Sequence, residues 1–519
     1  GDHRDLHLSI RRQRQMCIRD RVMSKSMSII KQSLTIIITA MFLISGVFAQ
    51  SNSEETERDR RDKQQTKKSQ AVSKSVYEKI TKAQEAMEAE DNDTALKILN
   101  TLRASSKLSE YERQNVMNYL GFVYYNMEDI PRAMRAYEEM LRIPSIEEQI
   151  KKTTIYTLSQ LHTMEENYLK AISLIEEYFT IETNPPAPAY ILYAQNLYQI
   201  ERYKEMIEPI ETAMVVDVRR KKAQRQAALI TAQAELKKAR EEIAIVAAQE
   251  KLANATKLVN TEPMPKEDWY VLLNFAYFQQ EDFNKVRDIQ KILLMNWPKK
   301  RYWFSLAGAY TELGEDENLI YAYDAAFTQG LLEKEAEIVT MAQLFMQAEV
   351  PFKAATLLDK EIKDGRVKGN AKNYRLMSQA FTLASEDEMA IPALKMAAKL
   401  SDEGELDLRL GNAYLNLAQY SDCSKSVRAG LKKGKIKSPD NAQISLGMCL
   451  YNQKEYNDAI EAFKAASKSQ RSKRISGQWI AVIESDIARN KQIELAEIAA
   501  KKQAEDLAKR RAEARAARI

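Results

Sequence analysis

Histidine and cysteine are scarce in this chain, which contains three of each among 519 residues. Beyond residue 49 only His162, Cys423 and Cys449 remain, a set too small for a zinc site. A Ser-His-Asp or Cys-His arrangement would have to use His162. However, His162 occupies the position that Tyr124 and Tyr414 fill in related segments, which favours a packed core histidine. The sequence therefore predicts no catalytic residues, no metal site and no cofactor.

Glycine and proline are also few, with 14 and 12 copies. No glycine-rich phosphate-binding loop and no strand–glycine–helix unit stands out in the sequence. Few helix breakers, together with 45% hydrophobic and 29% charged residues, indicate an all-helical chain. The net charge of +5 is small for this length and does not indicate nucleic-acid binding.

One pattern recurs ten times along the chain. A small residue in a first helix is followed 12 residues later by a second small residue and 16 residues later by a large one, as in Gly447, Ala459 and Phe463. Most successive copies lie 33 to 38 residues apart, whereas the step from Ala194 to Asn274 is about double and must contain an insertion. The small residues of the ten first helices are Ala83, Gly121, Ser159, Ala194, Asn274, Ala307, Ala342, Ser378, Gly411 and Gly447.

Each copy encodes a hairpin of two helices whose apolar faces follow i, i+3 and i+4 spacing. One hairpin cannot bury its own apolar face, so neighbouring hairpins must stack. A period near 34 with this pattern resembles the tetratricopeptide repeat. The resemblance implies an all-α, right-handed α-solenoid of about ten hairpins that binds partners and rarely catalyses. Repeats one to four are expected over 76–217 and repeats five to ten over 266–470.

A capping helix and a charged C-terminal helix are expected over 471–519. Trp479, Ile480, Ile483 and Ile487 supply one apolar stripe for packing on the last repeat. From Lys491 onward the chain reads as a continuous helix rich in Ala, Lys, Arg and Glu, with a basic end that suits a helix C-terminus.

The N-terminal residues do not follow the repeat. The string MCIRDR at 16–21 resembles a translated sequencing adapter, so residues 1–21 are expected to be an assembly artefact, with a natural basic arm as the alternative. The segment 23–49 is predicted to be a secretory signal peptide. It has a basic start, the short apolar run Leu34–Ala49 and small residues before Gln50.

An alternative for this segment is an uncleaved inner-membrane anchor over 34–49, with the rest of the chain facing the periplasm. The charged stretch 50–75 predicts a disordered polar linker, because it cannot bury enough apolar surface to order itself. Both alternatives predict a periplasmic location for the repeats.

A charged, alanine-rich helical insertion is expected over 218–262. Its apolar residues recur at alternating steps of three and four, which is coiled-coil-like but shorter than four heptads. A solvated helical excursion is the leading interpretation, and a partner-binding helix or a membrane-surface helix are the alternatives. The stripe comprises Leu229, Ala232, Leu236, Ala239, Ile243 and Val246, and the basic cluster before it comprises Arg219, Arg220, Lys221, Lys222 and Arg225.

The repeat register also predicts a partner-binding face. First helices line the concave side of a tetratricopeptide solenoid, and exposed aromatic and arginine side chains anchor interfaces. About half of the assigned residues are expected to be exposed, because aromatic residues at helical spacing also form cores. The assigned residues are Phe122, Tyr125, Tyr156, Gln195, Tyr198, Phe275, Phe278, Phe304, Arg375, Asn412 and Tyr451.

Cys423 and Cys449 fall in neighbouring helices, the second helix of repeat nine and the first helix of repeat ten. Exported cysteines tend to pair, so a disulfide between them is one interpretation. The other is two separate small buried residues, since Cys423 takes the place of an alanine in sister repeats.

Several strings go beyond the general repeat pattern. They resemble the periplasmic tetratricopeptide proteins that accompany TonB–ExbB–ExbD systems of Gram-negative bacteria. The resemblance implies an accessory of TonB-dependent uptake that binds protein partners, including TonB, ExbB or ExbD components, and it supplies no catalytic residues. The insertion over 218–262 departs from that family's pattern. The strings are Asn118–Tyr125, Glu267–Leu273, Pro298–Trp303, Glu349–Ala355 and Leu400–Leu406.

Two other functions compete with this interpretation. A scaffold for envelope assembly, in outer-membrane, pilus or peptidoglycan machinery, would have the same sequence features. An enzyme with a solenoid body would need a cluster of Asp, Glu, Lys, Ser or Tyr residues, and none stands out from the solvated charges.

Overall fold

A computed structural model describes residues 72–516. The expected adapter at 1–21, the signal peptide at 23–49 and all but the end of the linker at 50–75 lie outside the described residues. Within 72–516 the chain forms 22 α-helices and one short 3-10 helix, with no β-strand, which confirms the all-α prediction. The chain divides into two compact units, one ending at Pro298 and the other beginning at Lys299.

The first unit contains eleven described α-helices and one 3-10 helix. Their bounds are α1 Lys74–Glu88, α2 Asn92–Arg103, α3 Glu110–Asn126, α4 Ile130–Leu141, α5 Glu148–Met164, α6 Tyr168–Ile181, α7 Ala187–Gln199, the 3-10 helix Tyr203–Met206, α8 Ile207–Lys238, α9 Glu242–Val259, α10 Glu267–Gln279 and α11 Phe283–Asn296. Helices α1 to α8 pair in sequence as hairpins one to four, and α10 with α11 forms hairpin five.

The second unit contains the other eleven helices. Their bounds are α12 Lys300–Leu313, α13 Asp316–Thr328, α14 Glu335–Gln347, α15 Pro351–Lys363, α16 Ala371–Leu383, α17 Asp387–Leu400, α18 Gly404–Asn416, α19 Tyr420–Lys433, α20 Pro439–Asn452, α21 Tyr456–Ser467 and α22 Lys473–Ala516. Helices α12 to α21 pair as hairpins six to ten, and α22 packs on α21.

The contact between a small and a large residue that the repeat pattern predicts packs the two helices of each hairpin against each other. All ten small residues of the first helices are buried, from Ala83 in α1 to Gly447 in α20. A Cβ atom built on Gly447 would lie 2.7 Å from the Phe463 ring, and one built on Gly121 would lie 2.5 Å from the Tyr137 ring. The large side chain thus fills the space above the small one, and the two backbones approach closely. The structure confirms the register.

The turn inside each hairpin places one residue in the left-handed region. In hairpin three the amide of Asn167 donates to the carbonyl of His162 (2.8 Å), and the amide of Glu166 donates to that of Thr163 (3.2 Å). These are the two bonds of a Schellman motif, which satisfies the carbonyls at the end of a helix. In the ten hairpin turns this residue is a glycine only once, at Gly314. The left-handed residues of the other nine hairpin turns are Glu90, Glu128, Glu166, Glu201, Glu281, Glu349, Ser385, Ala418 and Lys454.

The insertion is a helical hairpin that extends from hairpin four. Helix α8 begins as the second helix of hairpin four and runs unbroken past Val218, the expected start of the insertion. Helix α9 then returns along α8. On α8 the buried Ala232 and the half-buried Leu229 and Leu236 form the apolar face that the sequence stripe predicts.

The prediction that the apolar face continues through Ile243 and Val246 is wrong. Ile243 is 85% exposed and Val246 is 60% exposed. The chain reverses at 239–241, between α8 and α9, so the two halves of the stripe do not share one helix. Helix α9 buries Ala248 and Ala255 instead.

The basic cluster at the base of this hairpin fixes the chain that returns from α9. The guanidinium of Arg225 donates to the carbonyl of Leu258 (2.9 Å) and to that of Thr261. The Lys221 ammonium donates to the Met264 carbonyl (2.6 Å) and lies 2.7 Å from the carboxylate of the buried Asp217. These cations therefore satisfy backbone carbonyls and a buried acid inside the fold.

The C-terminal residues form one long helix. Helix α22 packs its first turns on hairpin ten, where Ile483 is fully buried and the Trp479 ring stacks on Phe463 at 5.6 Å between centroids. From Ala488 to Ala514 every side chain is exposed. The expected capping helix and the expected charged helix are thus one element. No helix in the described part of the chain is long and apolar enough to span a bilayer.

Candidate partner-binding surface

The eleven residues expected on the binding face fall into three environments. Asn412 is exposed, and Tyr156, Tyr198 and Phe275 are buried. The other seven are partly exposed, so fewer side chains stand free in solvent than the sequence predicts. Those seven are Phe122, Tyr125, Gln195, Phe278, Phe304, Arg375 and Tyr451.

The three buried residues belong to the core, and their assignment to an exposed face is wrong. Tyr156 stacks on Tyr178 of the same hairpin, with ring centroids 5.1 Å apart. Tyr198 of α7 meets Phe275 of α10 at 5.1 Å, and both rings pack against Tyr203. This aromatic cluster joins hairpin four directly to hairpin five, so the repeat stack continues past the insertion.

Two of the partly exposed residues already have polar partners. The Arg375 guanidinium lies 2.6 Å from the carboxylate of Glu403. The Tyr451 hydroxyl donates to Asp486 (2.7 Å), and this hydrogen bond raises the pKa of Tyr451. Both side chains therefore contribute to packing between neighbouring elements of the second unit, and a partner would compete with those contacts.

A cleft in the second unit collects polar side chains from successive first helices. It has a volume of about 510 Å³. Met346 of α14, Gln379 and Leu383 of α16, and Arg409 and Asn412 of α18 line it. The structure thus groups Asn412 with residues that the sequence analysis did not assign to the binding face.

The cleft contains hydrogen-bonding groups without partners. Among residues 72–516, nothing forms a hydrogen bond or ion pair with the side chains of Arg409, Asn412 or Gln379. The one acid in the cleft, Asp387, accepts a hydrogen bond from the Asn416 amide at 2.8 Å. The cleft therefore offers one guanidinium and two primary amides to a ligand.

The repeat register could have revealed Gln379. It directly follows the small residue Ser378, just as Asn412 directly follows Gly411. The residues predicted from the sequence include the amides Gln195 and Asn412 at this position, but not Gln379. Arg409 lies two residues before Gly411, at a position that the register does not assign to the concave face.

A disulfide links Cys423 of α19 to Cys449 of α20, with the Cα atoms 5.9 Å apart. Neither cysteine side chain is exposed. This Cα separation lies within the ordinary range for disulfides. The bond connects hairpin nine to hairpin ten. No three His, Cys, Asp or Glu side chains within 72–516 are grouped so as to hold a metal ion.

The stacked hairpins and the lined cleft define an α-solenoid of tetratricopeptide-like repeats, a class that binds protein partners. No protein-family model matches the chain, and no curated protein matches its sequence.

Three solved structures illustrate the similarity to known helical arrays. YrrB, described as a TPR protein with an unusual peptide-binding site, is 15% identical with a TM-score of 0.30, over 36% of this chain and 95% of that chain. A tetratricopeptide repeat protein from Parabacteroides merdae ATCC 43184 is 13% identical with a TM-score of 0.28, over 63% and 94%. A chain of the APC/C hetero-tetramer Cut9–Hcn1 is 12% identical with a TM-score of 0.26, over 77% and 95%. At these values the similarity carries no argument about function.

Proposed function

We propose that this chain is a non-enzymatic scaffold that binds a segment of a partner protein on the first helices of its hairpins. The observation that carries this proposal is the cleft beside α14, α16 and α18, where Arg409, Asn412 and Gln379 have no partner within the described residues. These side chains exchange hydrogen bonds with water for hydrogen bonds with a ligand, and the partly exposed Met346 and the exposed Leu383 add apolar contact.

We propose further that the scaffold acts in the periplasm as an accessory of TonB-dependent uptake. The support for this step is in the sequence. The segment 23–49 has the pattern of a signal peptide, and strings such as Glu267–Leu273 and Pro298–Trp303 resemble periplasmic proteins of TonB–ExbB–ExbD systems. TonB, ExbB or ExbD components are then the proposed partners.

The test is a cross-linking pull-down of the tagged full chain from iron-starved cells of its source organism. Recovery of TonB, ExbB or ExbD above an untagged control is the expected result. Recovery of outer-membrane, pilus or peptidoglycan assembly proteins instead would overturn the uptake role and leave a scaffold for envelope assembly. Signal-peptide cleavage is read from the N-terminus of the purified protein.

A further inference from the structure

The turns of hairpins seven and eight carry a group of exposed apolar side chains, which we call the turn patch. Phe352 at the start of α15 lies 6.5 Å from Phe381 of α16, measured between ring centroids, so the two turns adjoin. Exposed apolar side chains that are grouped and rimmed by polar residues mark interaction surfaces. The turn patch consists of Val350 (43% exposed), Phe352 (48%), Leu383 (64%) and Met389 (44%).

The rim of the turn patch is acidic. Glu349, Glu386 and Glu388 are exposed beside the patch residues, and none of these carboxylates has a hydrogen bond or an ion pair within residues 72–516. Lys353 is the only cation in these two turns of the described chain, and it lies 2.9 Å from the Asp324 carboxylate. The turn patch therefore fits a partner that combines apolar side chains with positive charge.

The exposed part of α22 has a surface of this kind. Positions that recur at steps of three and four lie on one face of a helix. One such face of α22, which we call the α22 face, is apolar and ends in an arginine, and none of its residues is acidic. Its members are Ile493, Ala496, Ala500, Ala504, Leu507 and Arg511, and Arg510 adjoins it.

The α22 face does not contact its own chain. Ile487 is the last residue of α22 that packs against the hairpins, and the helix continues unbroken to Ala516. At a rise of 1.5 Å per residue, Arg511 lies about 36 Å beyond Ile487. A contact with the turn patch of the same chain would require α22 to break, so a second copy must supply the helix.

We infer that α22 of one copy docks on the turn patch of a second copy. Leu507 packs against the apolar side chains of the patch, and Arg510 and Arg511 face the glutamates of its rim. Because the two surfaces differ, the contact is head-to-tail and joins copies into an open chain or a ring. The inference goes beyond the proposed scaffold function, and its test contains no partner protein.

The test is sedimentation velocity of the full chain at rising protein concentration. The wild type is expected to sediment faster as the concentration increases from the micromolar range toward the millimolar range. High salt should reduce this increase, because salt screens contacts between exposed charges.

Two variants each reverse the charge of one surface. Arg510→Glu with Arg511→Glu changes the helix, and Glu349→Lys with Glu388→Lys changes the rim. Each variant is expected to weaken self-association at least about tenfold, because like charges then face each other. Lys454 has the left-handed conformation in the turn of hairpin ten, so lysine also suits the position of Glu349.

A mixture of the two variants provides the rescue. In an equimolar mixture each reversed surface meets a surface of opposite charge on the other variant, so association is expected to return. Lys502→Glu with Lys509→Glu is the matched control, because it makes the same change of charge on the side of α22 opposite Leu507. This control is expected to associate as the wild type does.

Three outcomes would overturn the inference. One is a wild type that stays monomeric at every concentration, and another is an equal loss of association in the control and in the Arg510→Glu, Arg511→Glu variant. The third is a mixture that does not regain association. Thermal melts check that each variant is folded. The pull-down tests the scaffold function separately, so capture of partners by a chain that does not self-associate would leave the scaffold and reject this contact.

Discussion

At the scale of single residues, the close contact between Gly447 and Phe463 is the feature most sensitive to change. A Cβ at Gly447 would lie 2.7 Å from the ring, so Gly447→Leu must push the two helices of hairpin ten apart. We expect the free energy of unfolding to fall by about 1–3 kcal/mol. Urea unfolding measures it.

Gly477 is the matched control for this substitution. It lies in α22, and a Cβ built on it meets no atom within 4 Å. Gly477→Leu is expected to leave stability unchanged or to raise it, because leucine favours a helix more than glycine does. Equal effects at the two glycines would contradict the proposed contact.

His162 is a buried residue whose ring nitrogens have no hydrogen-bond partner within residues 72–516. Burial lowers its pKa, Lys170 acts in the same direction, and Glu138 and Glu165 oppose the shift. The unfolded chain therefore binds a proton more readily below the ordinary value of 6.5. The free energy of unfolding is expected to fall as the pH drops through that value, until the folded state also binds the proton.

The measurement compares urea unfolding at about pH 7.5 and about pH 5.5 in the wild type and in His162→Tyr. Tyrosine occupies the equivalent position at Tyr124 and Tyr414, so it suits the site. The difference in unfolding free energy between the two pH values should be smaller in the variant than in the wild type. An identical change in both proteins would show that His162 does not contribute.

At the scale of the element, most hairpin turns place a residue other than glycine in the left-handed region, which lowers stability. Glu166 is exposed and has a φ of 59°, which costs a residue with a Cβ atom roughly 1 kcal/mol. Glycine has no such cost in this region. Glu166→Gly is therefore expected to raise the free energy of unfolding by a few tenths to about 1 kcal/mol.

The control is Glu177→Gly, at an exposed position inside α6. There glycine is expected to lower stability by roughly 1 kcal/mol, because it weakens a helix interior. Opposite signs for the two substitutions, read from urea midpoints, would establish the turn geometry. A loss of stability in both would show that the left-handed conformation is not strained.

The helices show how far the sequence predicts this fold. The contact between a small and a large residue is local to one hairpin, so Gly121 and Tyr137 could be paired from spacing alone. The reversal at 239–241 could not be predicted, because that segment contains neither Gly nor Pro and its apolar stripe continues across the break. Tyr198 and Phe275 were misassigned because their burial depends on contact between repeats about 80 residues apart.

At the scale of the whole molecule, the aromatic cluster of Tyr198, Tyr203 and Phe275 and the polar cleft lie in different units of the chain. In the first unit, aromatic residues of the expected binding face are used to join hairpins four and five. The cleft with unpartnered polar groups lies within the second unit. A protein partner that needs hydrogen bonds is therefore expected to contact hairpins seven to nine first.

The link between Cys423 and Cys449 also has a mechanical consequence. A chain pulled from its two ends lengthens as its hairpins unravel, but the loop closed by two cysteines 26 positions apart cannot extend. The oxidised protein should therefore reach a contour length roughly 90 Å shorter than the reduced one. Optical-tweezers traces with and without reductant would measure this, and equal lengths would mean that the thiols are unpaired. Under load, this loop would keep the end of hairpin nine joined to the start of hairpin ten after the helices around them had unravelled.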